Sequence, residues 1–243
     1  MSHLNRDIMI TVADKEKEIS AEDVMETLIK YCDLIQIILD DQFKNQELSF
    51  HVTIKGHVDM LNVKTLARDT DLLTSNDLRT DPILFRKNNL IIPIEENTSL
   101  DSLRNFNNKV FACDDLTSYP NFNNISENWE SKYNCTLVVP IRKNYNIKII
   151  LGKFELSGFI GGDCMKEEKS ESVFMHENNN TKIRYTDLML TFADTLYGIM
   201  KKGKIANENE RDIINEAYSV DNTNYKFLEN INECLLKKYP DRN

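Results

Sequence analysis

The chain has 243 residues, 41% of them hydrophobic and 28% charged, with seven glycines, five prolines and a formal net charge of −9. That length holds one large domain or two small ones, and the composition is that of a core-forming chain rather than a disordered one. The acidic balance argues against nucleic acid or an anionic membrane surface as the main partner. Residues 1–15 include acidic positions and no continuous apolar stretch, so no secretory signal is expected. The densest apolar run, Leu34 to Leu39, is six residues long with Gln36 inside it, too short to cross a membrane. The five cysteines, Cys32, Cys113, Cys135, Cys164 and Cys234, are odd in number and form no CxxC pair. Reduced thiols and a cytoplasmic location are therefore the expectation.

In chain order, residues 1–19 are polar, with a short element possible at Ile8 to Val12. Ser20 opens a helix: Ser20 and Asp23 resemble a capping box, and Glu22 and Asp23 suit the positive helix end. Val24, Leu28, Tyr31, Ile35 and Ile38 recur at helical steps, flanked by Met25, Ile29, Cys32 and Leu39. So wide an apolar face can cover a sheet and also meet a second helix, either as core or as a dimer contact. From Leu48 the period changes to two: Phe50, Val52 and Ile54 alternate with Ser49, His51 and Thr53, the pattern of a half-buried strand. Gly56 suggests a bend, and Val63, Thr65 and Ala67 a second strand ending near Arg68-Asp69. Residues 70–88 read as irregular. Leu90 to Ile94 reads as a short strand weakened by Pro93, Asn97 to Leu103 as a capped short helix, and Val110 to Cys113 as a strand.

A long polar stretch then separates two strands. It carries Asp114 and Asp115, Tyr119-Pro120 to Asn124, Trp129 and Tyr133, and a loop held by strands is a common place for a small-molecule site. Thr136 to Arg142 and Ile147 to Ile160 read as a hairpin turning at Asn144-Tyr145-Asn146. Gly158, Gly161 and Gly162 suggest close backbone approach or a bend. Lys166 to Lys182 reads as an exposed loop. Residues 184–201 form a strong helical pattern on Leu188, Phe192, Leu196 and Met200, and two further helical patterns fill residues 207–218 and 224–238. The boundaries expected are a polar segment 1–19, one domain over 20–202 with its flanking helices, and a helical tail 203–243. Hairpins and period-two alternation between helices predict an α+β fold, an antiparallel sheet covered by helices.

Several stretches, taken together, resemble the GAF domain superfamily, in particular compact bacterial GAF-like regulatory proteins. They are Glu96-Asn97-Thr98 before a short helix, the strand into Cys113-Asp114-Asp115-Leu116, and Tyr119-Pro120 to Asn124. Tyr133 to Arg142, Gly158-Phe159-Ile160-Gly161-Gly162-Asp163 and Phe192-Ala193-Asp194 with Leu196-Tyr197 follow. The resemblance implies an antiparallel sheet of about six strands. The terminal helices would lie together on one face, often pairing with a second copy, and a pocket would lie on the other face under the loops of residues 95–130. Members bind cyclic nucleotides, tetrapyrroles, amino acids, 2-oxo acids, metals or nothing known. This chain lacks a tetrapyrrole-attachment context and a cyclic-nucleotide signature, so no cofactor is assigned. The implied function is a sensory or regulatory domain, a homodimer through its terminal helices or a module acting on a separate effector protein.

Each candidate ligand residue has a structural alternative. Asp114 and Asp115 can accept hydrogen bonds from a ligand amine, amide or hydroxyl, or cap the turn that follows. Trp129 and Tyr133 can stack on a planar ligand or serve as core aromatics. Arg142 can pair with an anionic ligand or an acidic neighbour. Asn97 and Asn124 can serve turns and caps or contact a ligand, Asn124 being the one kept among the candidate ligand residues. An enzymatic alternative rests on Ala112-Cys113-Asp114, similar to a segment of the free methionine-R-sulfoxide reductases, which are GAF proteins; Cys113 and Cys135 would then form a thiol pair. The 20 residues between Asp115 and Thr136 depart from that family's compact spacing. A third alternative is a pocketless interaction module. Gly161-Gly162-Asp163 is followed by Cys164-Met165 where a cyclase signature needs Glu-Phe, and reads as a strand-end bend. His3, His51, His57 and His176 form no metal motif, and no Walker, GxSxG or HExxH pattern occurs.

Overall fold

The computed structural model describes residues 21–42, 48–57, 61–71, 91–104, 110–124, 129–131, 133–142, 156–165 and 189–196. The expected elements over 1–19, 72–88, 144–146, 166–182 and 203–243 lie outside the described residues.

Six strands form one antiparallel sheet: β1 (Phe50–His57), β2 (Asn62–Arg68), β3 (Ile92–Pro93), β4 (Phe111–Cys113), β5 (Cys135–Arg142) and β6 (Leu156–Cys164). Their spatial order is β3-β2-β1-β6-β5-β4. The chain thus builds one half outward from β1 and returns with β6 to pair on β1's other side. Helix α1 (Ala21–Gln42) packs on β1 and β2. Helix α2 (Thr98–Arg104) contacts β4 and β5. A third helix, α3, covers residues 189–196.

The alternation read in β1 sorts the core into two layers. Phe50, Val52 and Ile54 are fully buried on the face that meets α1 and α3. On that face they join Leu28, Tyr31 and Ile35 of α1, Leu137, Val139 and Ile141 of β5, and Phe192 and Leu196 of α3. The first and last described helices share this layer, and the Tyr31 and Phe192 rings meet edge-on at 5.6 Å. The second layer lies on the opposite face. There Val63, Ile94, Leu100, Phe111, Trp129 and Phe159 pack under α2 and the β4–β5 connection. A sheet with two helices on one face and loops with a short helix on the other is the α+β arrangement the resemblance implies.

Three local readings change. Gly56 and the Gly161-Gly162-Asp163 triplet are not bends; they lie within β1 and β6, where Gly56 opposes Gly158 and Gly161 opposes Thr53. A Cβ at Gly158 would fall 1.9 Å from the Lys55 carbonyl oxygen, and one at Gly162 would fall 3.0 Å from Leu39 Cδ1. These glycines answer to packing rather than to chain reversal. The strand at Leu90 to Ile94 shrinks to Ile92–Pro93, because proline cannot donate to a ladder and the chain tightens into a 3-10 turn at Ile94–Glu96. In β2, Leu66 and Ala67 are both buried because a bulge opposite Ile54 and Lys55 leaves Leu66 without a register partner.

Candidate functional site

The loop between β4 and β5 is built from its own turns. Tyr119 N–H donates to Leu116 O at 3.2 Å and Phe122 N–H to Tyr119 O at 3.3 Å. Pro120 opens the second turn and Asn121 takes the left-handed conformation at φ 55°. These turns bring aromatic rings together. Phe111 lies 5.5 Å from Tyr119, Phe122 lies 4.7 Å from Trp129, and Trp129 lies 6.1 Å from Tyr133, centroid to centroid. The result is an aromatic roof over the sheet's second face. The loop also ties back to α2: Thr98 N–H donates to Asn123 O, and Asn123 N–H to Thr98 Oγ1.

The sequence-derived candidates separate on this frame. Trp129 and Tyr133 are within the roof, and the Tyr133 hydroxyl accepts a hydrogen bond from the Asn124 amide. Burial pushes the Tyr133 phenol well up, with Asp163 nearby acting in the same sense. Asp114 is partly exposed at the start of the loop, and its backbone carbonyl accepts from Cys135 Sγ at 3.1 Å. Asp115 is exposed, and its carboxylate accepts from Thr117 N–H at 3.0 Å and Thr117 Oγ1 at 2.6 Å. Those bonds, the Thr117 hydroxyl's first, hold its carboxyl below the usual range. Asp115 is thus engaged as a turn cap. Asn97 caps α2, accepting from Leu100 N–H at 3.1 Å and Ser99 Oγ at 2.6 Å. Arg142 ends β5 opposite Leu156, and its side chain lies outside the described residues.

The two cysteines of the thiol alternative face opposite layers. Cys113 opposes Thr136 and packs with the second layer, whereas Cys135 is fully buried in the first. Burial is the main cause that raises the Cys113 thiol, so its thiolate is scarce at neutral pH. Cys135 instead opposes Cys164 on β6.

Beneath the roof lies a polar group of residues that sequence reading did not assemble. Antiparallel register sets it out in rows. His51, Asp163, Thr136 and Cys113 are successive cross-strand partners; so are Arg68, Thr53, Gly161 and Val138, and so are Thr65, Lys55, Phe159 and Pro140. Directly opposed side chains share a face, so Lys55, Arg68 and Asp163 converge around Thr53 and Gly161. The Thr136 hydroxyl donates to Asp163 Oδ1, and Lys55 Nζ donates to Thr65 Oγ1 at 3.3 Å. Desolvation lowers the Lys55 ammonium to about 8, with Arg68 adding repulsion and Asp163 opposing it. Desolvation also raises Asp163, against the Thr136 hydrogen bond and the positive charges of Lys55, His51 and Arg68. At the edge of this patch, Asp69 is fully buried and accepts from Val52 N–H at 2.7 Å, with His51 Nδ1 3.2 Å away.

Thr53, Lys55, Arg68, Gly161 and Asp163 all retain partial exposure although they sit on inner strands, whereas Thr136, Val138 and Phe159 beside them are buried. The sequence did hold a signal for this patch. His51, Thr53 and Lys55 fill the polar phase of β1, a phase that reads as solvent-facing in the sequence but lies on the same face of the sheet as the second core layer. Among the described residues no group of three or more metal-ligating side chains occurs. No described helix is long and apolar enough to cross a membrane.

No family model and no curated protein matches the chain. Among solved structures it is similar to the GAF domain of an Acinetobacter phosphoenolpyruvate-protein phosphotransferase, at 12% identity over 83% of this chain and 95% of that one, TM-score 0.42. It is also similar to residues 122 to 287 of a methyl-accepting chemotaxis protein, at 15% identity over 83% and 98%, TM-score 0.43. The GAF domain of a phosphoenolpyruvate-protein phosphotransferase from Coxiella burnetii is similar at 16% identity over 82% and 94%, TM-score 0.44.

Proposed function

We propose that this chain is a cytoplasmic GAF-like sensory or regulatory domain that binds a small molecule between the second face of its sheet and the 114–134 loop, with no catalysis of its own. One observation carries the reading. Lys55, Arg68 and Asp163 stand on inner strands beneath an aromatic roof, where ionisable groups are costly and apolar side chains would serve stability better. Trp129 and Tyr133 supply the upper wall, with Asp114 and Asn124 at its rim. Arg142 is reserved for the far end of β5. Occupancy there bears on the roof and, through the sheet, on α1 and α3, whose arrangement relays the signal to a second copy or an effector protein.

The test is native mass spectrometry of gently purified protein, set against the same sample after denaturation. The expected result is a small molecule retained by the folded chain and released on unfolding. Trp129→Ala should weaken retention while circular dichroism stays native; retention unchanged in Trp129→Ala and in Tyr133→Ala would remove the roof from the site. Asp115→Ala should leave retention intact, since that carboxylate is engaged by Thr117.

A further inference from the structure

The strand register sets two cysteines side by side at the root of the β4–β5 loop. We propose that Cys135 and Cys164 are a redox pair, closed to a disulfide by hydrogen peroxide, and that closure loosens the root of that loop. This goes beyond the small-molecule reading above and does not depend on it.

Cys135 is the first residue of β5 and Cys164 the last of β6, and the two are direct cross-strand partners. Directly opposed residues of an antiparallel pair have Cα atoms about 4.5–5.5 Å apart, inside the range of about 4.4–6.8 Å that a disulfide spans. Both side chains are free thiols, fully buried in the first core layer, so they also share a face. The Cys164 thiol is raised, first by its hydrogen bond with Cys135 and then by burial. The two sulfurs are therefore in contact, and Cys164 stays protonated at neutral pH. Cys113, by contrast, packs with the second layer, across the sheet from Cys135.

A buried thiol reacts only when its cover opens. This pair sits on the terminal rung of the β5–β6 ladder, and Cys164 also ends the β1–β6 ladder opposite Phe50. Terminal rungs are where opening costs least. Met165, the next residue, is already 39% exposed. Fraying of that rung admits a peroxide. One cysteine, as its thiolate, then attacks a peroxide oxygen; the O–O bond breaks, a sulfenic acid forms, and the released hydroxide takes up the thiol's proton as water. The second sulfur attacks the sulfenic sulfur, the S–O bond breaks, and its proton leaves with the hydroxide as a second water. Two thiols are oxidised to one disulfide, and one peroxide is reduced to two waters.

The loop reads this change because Cys135 holds its root. In the reduced chain the Cys135 thiol donates to the Asp114 carbonyl at 3.1 Å and is 3.3 Å from Asn134 Oδ1. Asp114 leads out of β4 and Asn134 leads into β5, and Leu116 N–H donates to Asn134 O at 2.8 Å between the same two ends. A disulfide has no S–H, so both oxygens lose that donor on oxidation.

The test treats wild type and Cys164→Ala with hydrogen peroxide and then reduces part of each sample with dithiothreitol. Peptide mapping of oxidised wild type should find Cys135 and Cys164 joined, lighter by two hydrogens than the separate peptides and parted again by dithiothreitol. Amide exchange over residues 114–124, read by mass spectrometry, should become at least about twofold faster on oxidation of wild type and return on reduction. Cys164→Ala keeps the Cys135 donor but cannot close the bond, so peroxide should leave its exchange unchanged. Cys164→Ser serves the same purpose if the alanine variant loses its native circular-dichroism spectrum. Cys135 and Cys164 left as thiols, oxidised without joining, or joined to other cysteines overturn the redox pair. A Cys135–Cys164 bond with unchanged exchange over 114–124, or an equal rise in Cys164→Ala, overturns the loosening of the loop. Retention of a copurified small molecule is measured separately, so the small-molecule reading stands or falls on its own.

Discussion

Lys55 shows how a single side chain can cost stability. Its native pKa, about 8, lies below the ordinary lysine value of 10.5 because the surrounding protein removes water from the ammonium. Below pH 8 the group is charged in both folded and unfolded chains, and the fold bears the whole desolvation cost. Between pH 8 and 10.5 the native form loses its proton first, so the cost is relieved as pH rises. Lys55→Met should therefore be more stable than wild type at pH 7, by roughly 1–2 kcal/mol once the lost attraction to Asp163 and partial solvent screening are allowed for. That gap should narrow from pH 8 and close near pH 10.5. Urea unfolding of both proteins across this range checks it; a gap independent of pH would show that the ammonium is not desolvated. The glycines of β6 give a second contrast. Gly158→Ala drives a Cβ against the Lys55 backbone carbonyl, which cannot retreat without breaking the β1–β6 ladder, so a loss of about 3 kcal/mol is expected. Gly162→Ala meets only the end of the Leu39 side chain and should lose about 1 kcal/mol. Equal losses in chemical denaturation would contradict this ranking.

At the scale of elements, α1 serves as core and leaves one large apolar side chain exposed. Leu28, Tyr31, Ile35 and Leu39 are buried against the sheet and α3, whereas Ile37 is 64% exposed. Gln36, the break in the apolar row, is buried yet satisfied, donating to Asp71 Oδ2 at 3.0 Å. Among the described residues of this helix, Ile37 is the large apolar side chain available to a second copy. Ile37→Lys should change monomer stability by less than about 0.5 kcal/mol and abolish any dimer seen by sedimentation equilibrium. Leu28→Asp and Leu196→Asp would instead unfold the chain, by roughly 4 kcal/mol or more, because each places an unpaired charge in the first core layer. Substituting these core positions cannot separate association from folding. The short α2 depends on its cap: Asn97→Ala removes the acceptor for Leu100 N–H and should lower stability by about 1 kcal/mol in chemical denaturation.

For the whole molecule, the six-stranded sheet divides two environments. One face is a continuous apolar layer under α1 and α3; the other mixes an apolar rim with charged groups beneath the aromatic loop. The roof packs directly on β4 and β5, with Phe111 of β4 in contact with Tyr119 and Phe122. It should therefore unfold with the sheet. Fluorescence of Trp129, the only tryptophan, and far-ultraviolet circular dichroism should give coincident thermal transitions. An earlier fluorescence transition would mean that the roof opens independently of the sheet beneath it.

Most of the framework follows from local sequence pattern. Period-two alternation in β1, helical steps in α1 and the cap at Asn97 are local patterns, and local sterics and burial are enough to specify them. Trp129 and Tyr133 were legible as candidates because aromatic residues in a polar loop must pack on something. What they pack over depends on strand order and register. Lys55, Arg68 and Asp163 are separated by up to 108 residues, and each looks like an ordinary polar position of a half-exposed strand. The antiparallel register that places β6 beside β1 and β1 beside β2 brings three such positions onto one face, because what surrounds a charge is set by the strand pairing and not by its neighbours in the chain.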